Sequence, residues 1–152
     1  MLLRIVTPER SLPGISADHV TFMAVDGEVG VRTGHAPLVA LLKPGVVIAK
    51  TGGRISHAIA VRGGVGQILK DVVTVLADAA VPGEQVDVAK VRGQLEALRA
   101  APAPDNASAQ AVRNRDLTWL DVQTHMPAPQ MTAQELAAGA ESASRIAAAV
   151  ER

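Results

Sequence analysis

The chain contains no cysteine and no tyrosine, and its only aromatic side chains are Phe22 and Trp119. The absence of cysteine excludes disulfides, thiolate nucleophiles and cysteine-ligated zinc or iron–sulfur sites, and it fits a reducing compartment. Hydrophobic residues still make up 48% of the 152 residues, so the core must be built from valine, isoleucine, leucine and alanine around Phe22. This composition is typical of a globular protein and not of a disordered one.

An excess of charge of one sign is also missing, because 15 basic and 15 acidic side chains give a formal net charge of zero. No overall field attracts nucleic acid or anionic lipid, so we expect no nucleic-acid partner. The apolar runs are shorter than the roughly 18 residues of a membrane span, and Arg4 and Pro8 interrupt the start before a signal-peptide core forms. We therefore expect a cytoplasmic chain without direct membrane insertion.

The residue patterns of common catalytic sites are absent as well. There is no G-x-S-x-G elbow, no H-E-x-x-H metal motif and no G-x-x-x-x-G-K-[ST] phosphate loop. The stretch "GGVGQ" at 63–67 lacks the third glycine of a dinucleotide fingerprint, and we interpret its glycines as turn or close-packing positions. The histidines are scattered along the chain, at His19, His35, His57 and His125. We expect no enzyme, no metal site and no resident cofactor.

Regular turn signals divide the first 84 residues, among them Asp26-Gly27, Gly52-Gly53 and Pro82-Gly83. The segments between them, such as "VTFMAV" and "VVTVLA", are rich in β-branched residues. This pattern predicts a meander of short strands that closes into a sandwich or a barrel, with a two-residue hairpin turn at Gly52-Gly53. In "RISHAIAVR", His57 alternates onto the same face as Ile59, so we expect it on the apolar face or at its rim.

Helical periodicity replaces the strand pattern after Pro82-Gly83, and we place a domain boundary there, with domains 1–84 and 85–152. Asp87 is the predicted N-cap of a first helix. A second helical pattern covers about 109–125, and Thr132 with Glu135 forms a capping box for a third. The predicted apolar stripe of the first helix is Val88, Val91, Leu95 and Leu98, and that of the last is Leu136, Ala140, Ala143, Ala147 and Val150.

One loop region stands out, the stretch "GEVGVRTGHAPLV" at 27–39. Two interpretations are open. It is either a tight connection with solvated side chains or a rigid loop that presents a carboxylate and an imidazole to another protein. We expect Glu28 and His35 to stand at the same end of the sandwich. The candidate partner-contact residues are Glu28, Gly34, His35, Ala36 and Pro37.

Four stretches, "TPER", "DGEVGVRTGHAPLVALLKPGVV", "AVRGGVGQILKDVVTVLADAA" and "GEQVDV", resemble the epsilon subunit of bacterial F-type ATP synthases, which is called delta in mitochondria. The resemblance runs from about residue 1 to 98. It implies an N-terminal β-sandwich of about ten strands followed by helices. It also implies a noncatalytic central-stalk subunit that couples gamma to the c-ring in proton-driven ATP synthesis, peripheral to the cytoplasmic face of the bacterial inner membrane.

The same resemblance places the loop residues around Glu28 and His35 at the c-ring end of the sandwich. It further implies a regulatory tail, whose helices either extend along gamma into the alpha/beta hexamer and block ATP hydrolysis or fold back on the sandwich. Some relatives bind ATP at the tail through a motif like [IL]-D-x-x-R-A, which reads "VDVAKV" here. Asp87 is kept, but Lys90 replaces the arginine and cannot donate in its bidentate way. Nucleotide binding by Asp87 and Lys90 therefore competes with a simple N-cap role for Asp87.

Two departures from the family pattern keep an alternative open. Arg32-Thr33 stands where leucine-proline is usual, and no family pattern is recognisable after about residue 100. The alternative is a free-standing β-sandwich that binds a ligand or peptide, with an oligomerising helical tail. An exposed apolar stripe on the sandwich favours the epsilon interpretation, whereas a closed polar pocket favours the alternative.

Overall fold

A computed structural model describes residues 1–152 as ten strands followed by three helices. The strands are β1 (Leu2–Val6), β2 (Ile15–Ser16), β3 (His19–Ala24), β4 (Gly27–Arg32), β5 (Leu38–Leu42), β6 (Gly45–Thr51), β7 (Arg54–Val61), β8 (Gly64–Leu69), β9 (Val72–Ala77) and β10 (Ala80–Pro82). The helices are α1 (Val88–Ala100), α2 (Ala107–Thr124) and α3 (Ala133–Val150). A single turn of 3-10 helix, Gly83–Gln85, connects β10 to α1.

The strands form one folded sheet in the order β10-β7-β6-β3-β5-β8-β9-β1-β2, and β4 pairs with β3. All pairs are antiparallel except β1 with β9. Strand β3 connects the two layers, because Thr21 pairs with Ile48 of β6 while Ala24 pairs with Leu42 of β5. The predicted fold class, a β-sandwich followed by helices, is confirmed.

The core lies between the inner faces of the two layers. Alternation decides which residues enter it: Leu3 and Ile5 of β1 and Val73 and Val75 of β9 point inward and are fully buried around Phe22. The predicted aliphatic core around a single ring is therefore confirmed. The residues of opposite parity on β1 and β9 point to the outer face, and α3 packs on part of it.

Close packing explains the glycine at the start of β8. Gly64 has a φ of +132°, and a Cβ built on it would lie 1.9 Å from the carbonyl oxygen of Leu76. No side chain fits there, so the glycine allows β8 to approach β9. The interpretation of "GGVGQ" as turn and close-packing glycines is confirmed, and the β6–β7 hairpin turns at Gly52-Gly53 as predicted.

Helices α1 and α2 pack against each other, and α2 also packs on β6 and β7. Val91 and Leu95 are the buried residues of the α1 stripe, whereas Val88 is exposed and Leu98 is only partly buried, so the predicted stripe was partly wrong. Arg62, which follows β7, forms an ion pair with Asp116 of α2. None of the three helices combines the length and the apolar character that a membrane crossing requires.

Helix α3 packs on the outer face of the other layer, against β1 and β2. The predicted capping box is confirmed, since Thr132 and Glu135 satisfy each other's backbone N–H groups. Ala143 is 1% exposed and packs on Leu2 and Val72. The predicted stripe was partly wrong, because Ala140 and Val150 are exposed. Because the residues of α3 that face the sheet are small, the helix lies close to it. The opposite face of α3 stays exposed to solvent.

Candidate functional site

A row of apolar side chains crosses the outer face of the second layer. Backbone pairing aligns Leu41 of β5 with Val65 of β8, Val65 with Leu76 of β9, and Leu76 with Val6 of β1. Val25, whose N–H donates to the Leu41 carbonyl oxygen at 2.9 Å, continues the row on the other side. These five residues are called the apolar row below, and Val25, Leu41 and Leu76 in it are 59%, 66% and 54% exposed.

Such exposure is unusual for a continuous set of aliphatic side chains. Directly opposed residues of neighbouring strands project to the same face, so the five side chains of the row form one surface. Five strands at a spacing of about 4.8 Å make this surface about 19 Å long. Val39 extends it along β5 and is 65% exposed. Contiguous exposed apolar surface of this kind is typical of interaction sites and ligand-binding grooves.

Glu28 lies at one end of this surface. It is the second residue of β4, its side chain is exposed, and it takes part in none of the ion pairs of the structure. Glu28 lines a groove of about 450 Å³ together with Val25, Val39 and Leu41. A free carboxylate beside an apolar surface can accept charge-assisted hydrogen bonds from a partner.

The His35 loop follows the far end of β4 and is held in a defined shape. Gly34 adopts a φ of +83°, and its N–H donates to the Asp71 carboxylate at 2.7 Å. The His35 N–H donates to the Arg32 carbonyl oxygen at 3.1 Å, and the His35 Nδ1 lies 2.7 Å from the Ala36 carbonyl oxygen. The loop is therefore fixed by the β8–β9 turn, in which Asp71 lies, and it leaves Ala36 and Pro37 exposed.

The structure does not bring Glu28 and His35 into one compact site. Glu28 and Arg32 project from the same outer face of β4, and four residues of strand separate them by about 13 Å. His35 lies beyond Arg32, in a groove with His19 and Arg32. The two predicted residues border separate grooves at the two ends of β4, so the expectation that they stand at the same end of the sandwich was wrong.

Asp87 is occupied as a helix cap. Its Oδ1 accepts from the Lys90 N–H at 3.0 Å at the start of α1, as predicted. The Lys90 side chain is exposed. Nucleotide binding by Asp87 and Lys90 stays a prediction.

In the whole chain, no group of three or more histidine, cysteine, aspartate or glutamate side chains is arranged to hold a metal ion.

His57 is half-buried beside a cavity of about 270 Å³ between the β1–β2 loop, β7 and α3. Its Nδ1 is buried without a hydrogen-bond partner. Burial lowers the pKa of His57, and the carboxylate of Glu84, which also lines the cavity, acts in the opposite direction. The expectation that His57 lies at the rim of the apolar face is confirmed, and a neutral, partly buried imidazole here is a packing residue.

Ion pairs hold the tail to the sandwich. Arg54 Nη2 donates to Glu135 Oε1 at 2.5 Å, and this hydrogen bond, with those from the Thr132 N–H and hydroxyl, lowers the pKa of Glu135 to about 2. Gln130 pairs with Ile55 of β7 through two hydrogen bonds, of 2.7 and 3.0 Å. Sequence reasoning missed these pairs because their partners are more than 70 residues apart.

Residues 1–83 match the family described as "ATP synthase, Delta/Epsilon chain, beta-sandwich domain". An ATP synthase epsilon chain of Solibacter usitatus is 40% identical over 118 residues, which cover 74% of this chain and 87% of the relative. This chain belongs to the ATP synthase delta/epsilon family. The resemblance stated from the four sequence stretches is therefore confirmed.

Other members of the delta/epsilon family agree. The epsilon chain of Symbiobacterium thermophilum is 42% identical over 104 residues, which cover 68% of this chain and 72% of the relative. A chain of the Euglena gracilis mitochondrial ATP synthase, in a structure of OSCP, F1 and c-ring, superposes with a TM-score of 0.66. It is 23% identical over 80% of this chain and 78% of that one, so it supports the fold alone.

The apolar row is the part of the site that sequence reasoning did not find residue by residue. A signal was present in "LVALL", because Val39 and Leu41 are apolar at the positions that alternate with the inward-facing Leu38, Ala40 and Leu42. A strand that is apolar at consecutive positions has both faces covered. In this chain no element of the fold covers the outer face of β5, where Val39 and Leu41 are 65% and 66% exposed.

Proposed function

We propose that this chain is the noncatalytic epsilon subunit of an F-type ATP synthase, part of the central stalk of the F1 sector and peripheral to the membrane. It couples the gamma subunit to the c-ring during proton-driven ATP synthesis, on the cytoplasmic face of a bacterial inner membrane. Family membership supports the assignment to the complex. The alternative, a free-standing ligand- or peptide-binding module, has no observation in its favour.

The observation that carries the gamma contact is the apolar row in a chain of this family. Val25, Leu41 and Leu76 are more than half exposed, although each belongs to the hydrogen-bonded framework of the sandwich. Gamma binding would remove this surface from water, which is worth roughly 1.5–3 kcal/mol for each fully buried aliphatic side chain. We assign the gamma contact to the domain of residues 1–84.

Glu28 and the His35 loop are the proposed contacts with the c-ring or gamma. The rigid loop around Gly34, tied to Asp71, and the unpaired carboxylate of Glu28 support this role. The two ends of β4 would then contact different partner segments, because the strand keeps these residues apart. Contact through prepositioned groups has a low entropic cost, which suits a subunit that transmits torque.

The tail, residues 85–152, is the proposed regulatory part, and its helices α1 and α2 are the segment that would reach the alpha/beta hexamer and restrain ATP hydrolysis. Their attachment to the sandwich is limited to the packing of α2 on β6 and β7 and an ion pair between Arg62 and Asp116, each about one third exposed. A contact of this size can be broken and reformed, as a two-state regulatory element requires. ATP binding at Asp87 and Lys90 is a further proposal, supported by the exposed Lys90 side chain beside the Asp87 carboxylate.

The first experiment is purification of the tagged chain from detergent-solubilised membranes of its source, followed by mass spectrometry. We expect alpha, beta, gamma and c chains in a fixed ratio. Recovery of the chain alone, or with unrelated proteins, would refute the assignment and favour the binding-module alternative.

A pair of matched variants tests the gamma contact itself. Leu76→Asp places a charge in the apolar row, whereas Val112→Asp places one on α2 at a residue that is also 54% exposed. We expect Leu76→Asp to abolish copurification with gamma and Val112→Asp to preserve it. Equal recovery of gamma with both variants would show that the apolar row is not the contact.

A further inference from the structure

We infer that the last turn of α3 forms one wall of the gamma-binding surface, so that gamma contacts α3 and the sheet face together. This inference rests on the proposed function, because the partner is the one assigned to the apolar row. The apolar row and α3 lie on the same outer face of the sheet β5-β8-β9-β1, at opposite ends of its strands.

The pairing register fixes the spacing between them. Val72 of β9, which α3 covers, is four residues before Leu76 of the apolar row, and Leu2 of β1 is four residues before Val6. Four residues of strand correspond to about 13 Å. One intermediate row lies between, formed by Arg4, Thr74, Gln67 and Val39.

The end of α3 reaches that intermediate row. Glu151 pairs with Arg4 at 3.4 Å. Ala149 and Val150 line a groove of about 410 Å³ together with Leu69 and Thr74. Val150 and Leu69 are 46% and 45% exposed, so apolar surface continues from the sheet onto the helix.

A partner that buries an interface of ordinary area has to cover both the apolar row and the groove at Val150. A specific complex buries about 800 Å² on each side, which corresponds to a patch about 28 Å across. The apolar row is about 19 Å long and, along each strand, only one residue wide. A partner centred on it extends about 14 Å along the strands in each direction, which brings its edge to the groove at Val150.

Contacts at both ends and in the middle of α3 fix the helix on the sheet, which a helix that forms part of a binding surface requires. Arg54 holds its first turn through Glu135, the nearly inaccessible Ala143 packs on Leu2, and Glu151 contacts Arg4. Each exposed ion pair contributes little, but the buried contact at Ala143 adds the packing of the helix on the sheet.

The test measures the affinity of the purified full chain for its gamma subunit, with variants on the last turn of α3. Val150→Asp places a charge in the groove. Ala148→Asp is the matched control in the same turn, because Ala148 does not line the groove. We expect Val150→Asp to weaken gamma binding by at least about tenfold and Ala148→Asp to leave it within about twofold.

The outcomes separate this inference from the proposed function. If the unaltered chain binds gamma and Val150→Asp binds equally well or more tightly, the inference is overturned while the proposed function stands. If the unaltered chain does not bind gamma at all, the proposed function fails and the inference with it. Hydrogen exchange gives a readout that needs no variant: we expect stronger amide protection of residues 143–151 in the complex, and weaker protection would show that gamma displaces α3.

Discussion

Arg54, the first residue of β7, and Glu135, in the first turn of α3, are 81 residues apart in sequence and form a hydrogen-bonded ion pair of 2.5 Å. Glu135 also closes the capping box with Thr132, so one carboxylate both starts α3 and fixes it to the sandwich. Loss of its charge should therefore weaken the docking and the first turn of α3 together.

The pH dependence of α3 docking follows from this relationship. The pKa of Glu135 is about 2 in the folded chain against 4.5 ordinarily, so its contribution is complete above pH 4.5 and is lost as pH falls towards 2. We expect Glu135→Gln to speed amide exchange in α3 roughly two- to fivefold at neutral pH and to remove this acid dependence. Glu141→Gln, which alters only an exposed pair with Arg145, is the control. Identical exchange in both variants would contradict the anchoring role.

We predict a second, weaker pH dependence of stability, which arises from His57. Burial lowers its pKa, so the folded chain favours the neutral imidazole, and its contribution to stability is complete above pH 6.5 and falls as pH drops towards the lowered value. We expect the thermal midpoint to decline from pH 6.5 to 5 and His57→Gln to flatten that decline. His125→Gln replaces an exposed histidine and should leave the profile unchanged. An unchanged profile for His57→Gln would reject this assignment.

The contact of α2 with the sandwich depends on Arg62 and Asp116, each about one third exposed. We expect Asp116→Asn to destabilise the docked helix by about 1–2 kcal/mol, because it leaves a mostly buried guanidinium without its charged partner. Hydrogen exchange should accelerate in α2 and stay constant in β8 and β9. Arg62→Lys keeps the charge and should show a smaller effect. Uniform acceleration throughout the chain would mean that the pair supports the whole fold and not the helix alone.

Substitution of Glu28 or His35, at the two ends of β4, should leave the stability of the folded chain almost unchanged. We expect Glu28→Ala and His35→Ala to change the free energy of unfolding by less than about 0.5 kcal/mol, since the Glu28 side chain is exposed and the only hydrogen bond of the His35 ring is to the neighbouring residue. In the assembled synthase both should reduce coupling between proton flow and ATP synthesis. Glu9→Ala, which removes an exposed carboxylate outside the grooves of Glu28 and His35, is the control. A large fall in melting temperature for either variant would contradict a contact role.

Asp71 provides a further check on the His35 loop. Its carboxylate accepts the Gly34 N–H, so Asp71→Ala should loosen the loop and reduce coupling although Glu28 and His35 remain. Normal coupling in this variant would show that the loop shape is set by its own residues.

Local sequence patterns were sufficient for the elements of this chain. The paired glycines, the β-branched segments and the caps at Asp87 and Thr132 act over a few residues, so the hairpin at Gly52-Gly53 and the starts of α1 and α3 were predictable. The four stretches that resemble the epsilon subunit predicted the fold as a whole. The face of α3 that packs was predicted only in part, because alanine at most positions gives a weak periodic signal.

By itself the sequence determined the strand-and-helix composition, the aliphatic core around Phe22 and the family, because turn chemistry, alternation and capping depend on near neighbours. Only the tertiary structure decided which apolar residues remain uncovered. Leu41 and Leu76 are ordinary strand residues in the sequence, and they become one surface because β8 places Val65 between them. The separation of Glu28 from His35 and the docking of α3 beside the apolar row likewise depend on strand register and on ion pairs between distant residues, which no local pattern encodes.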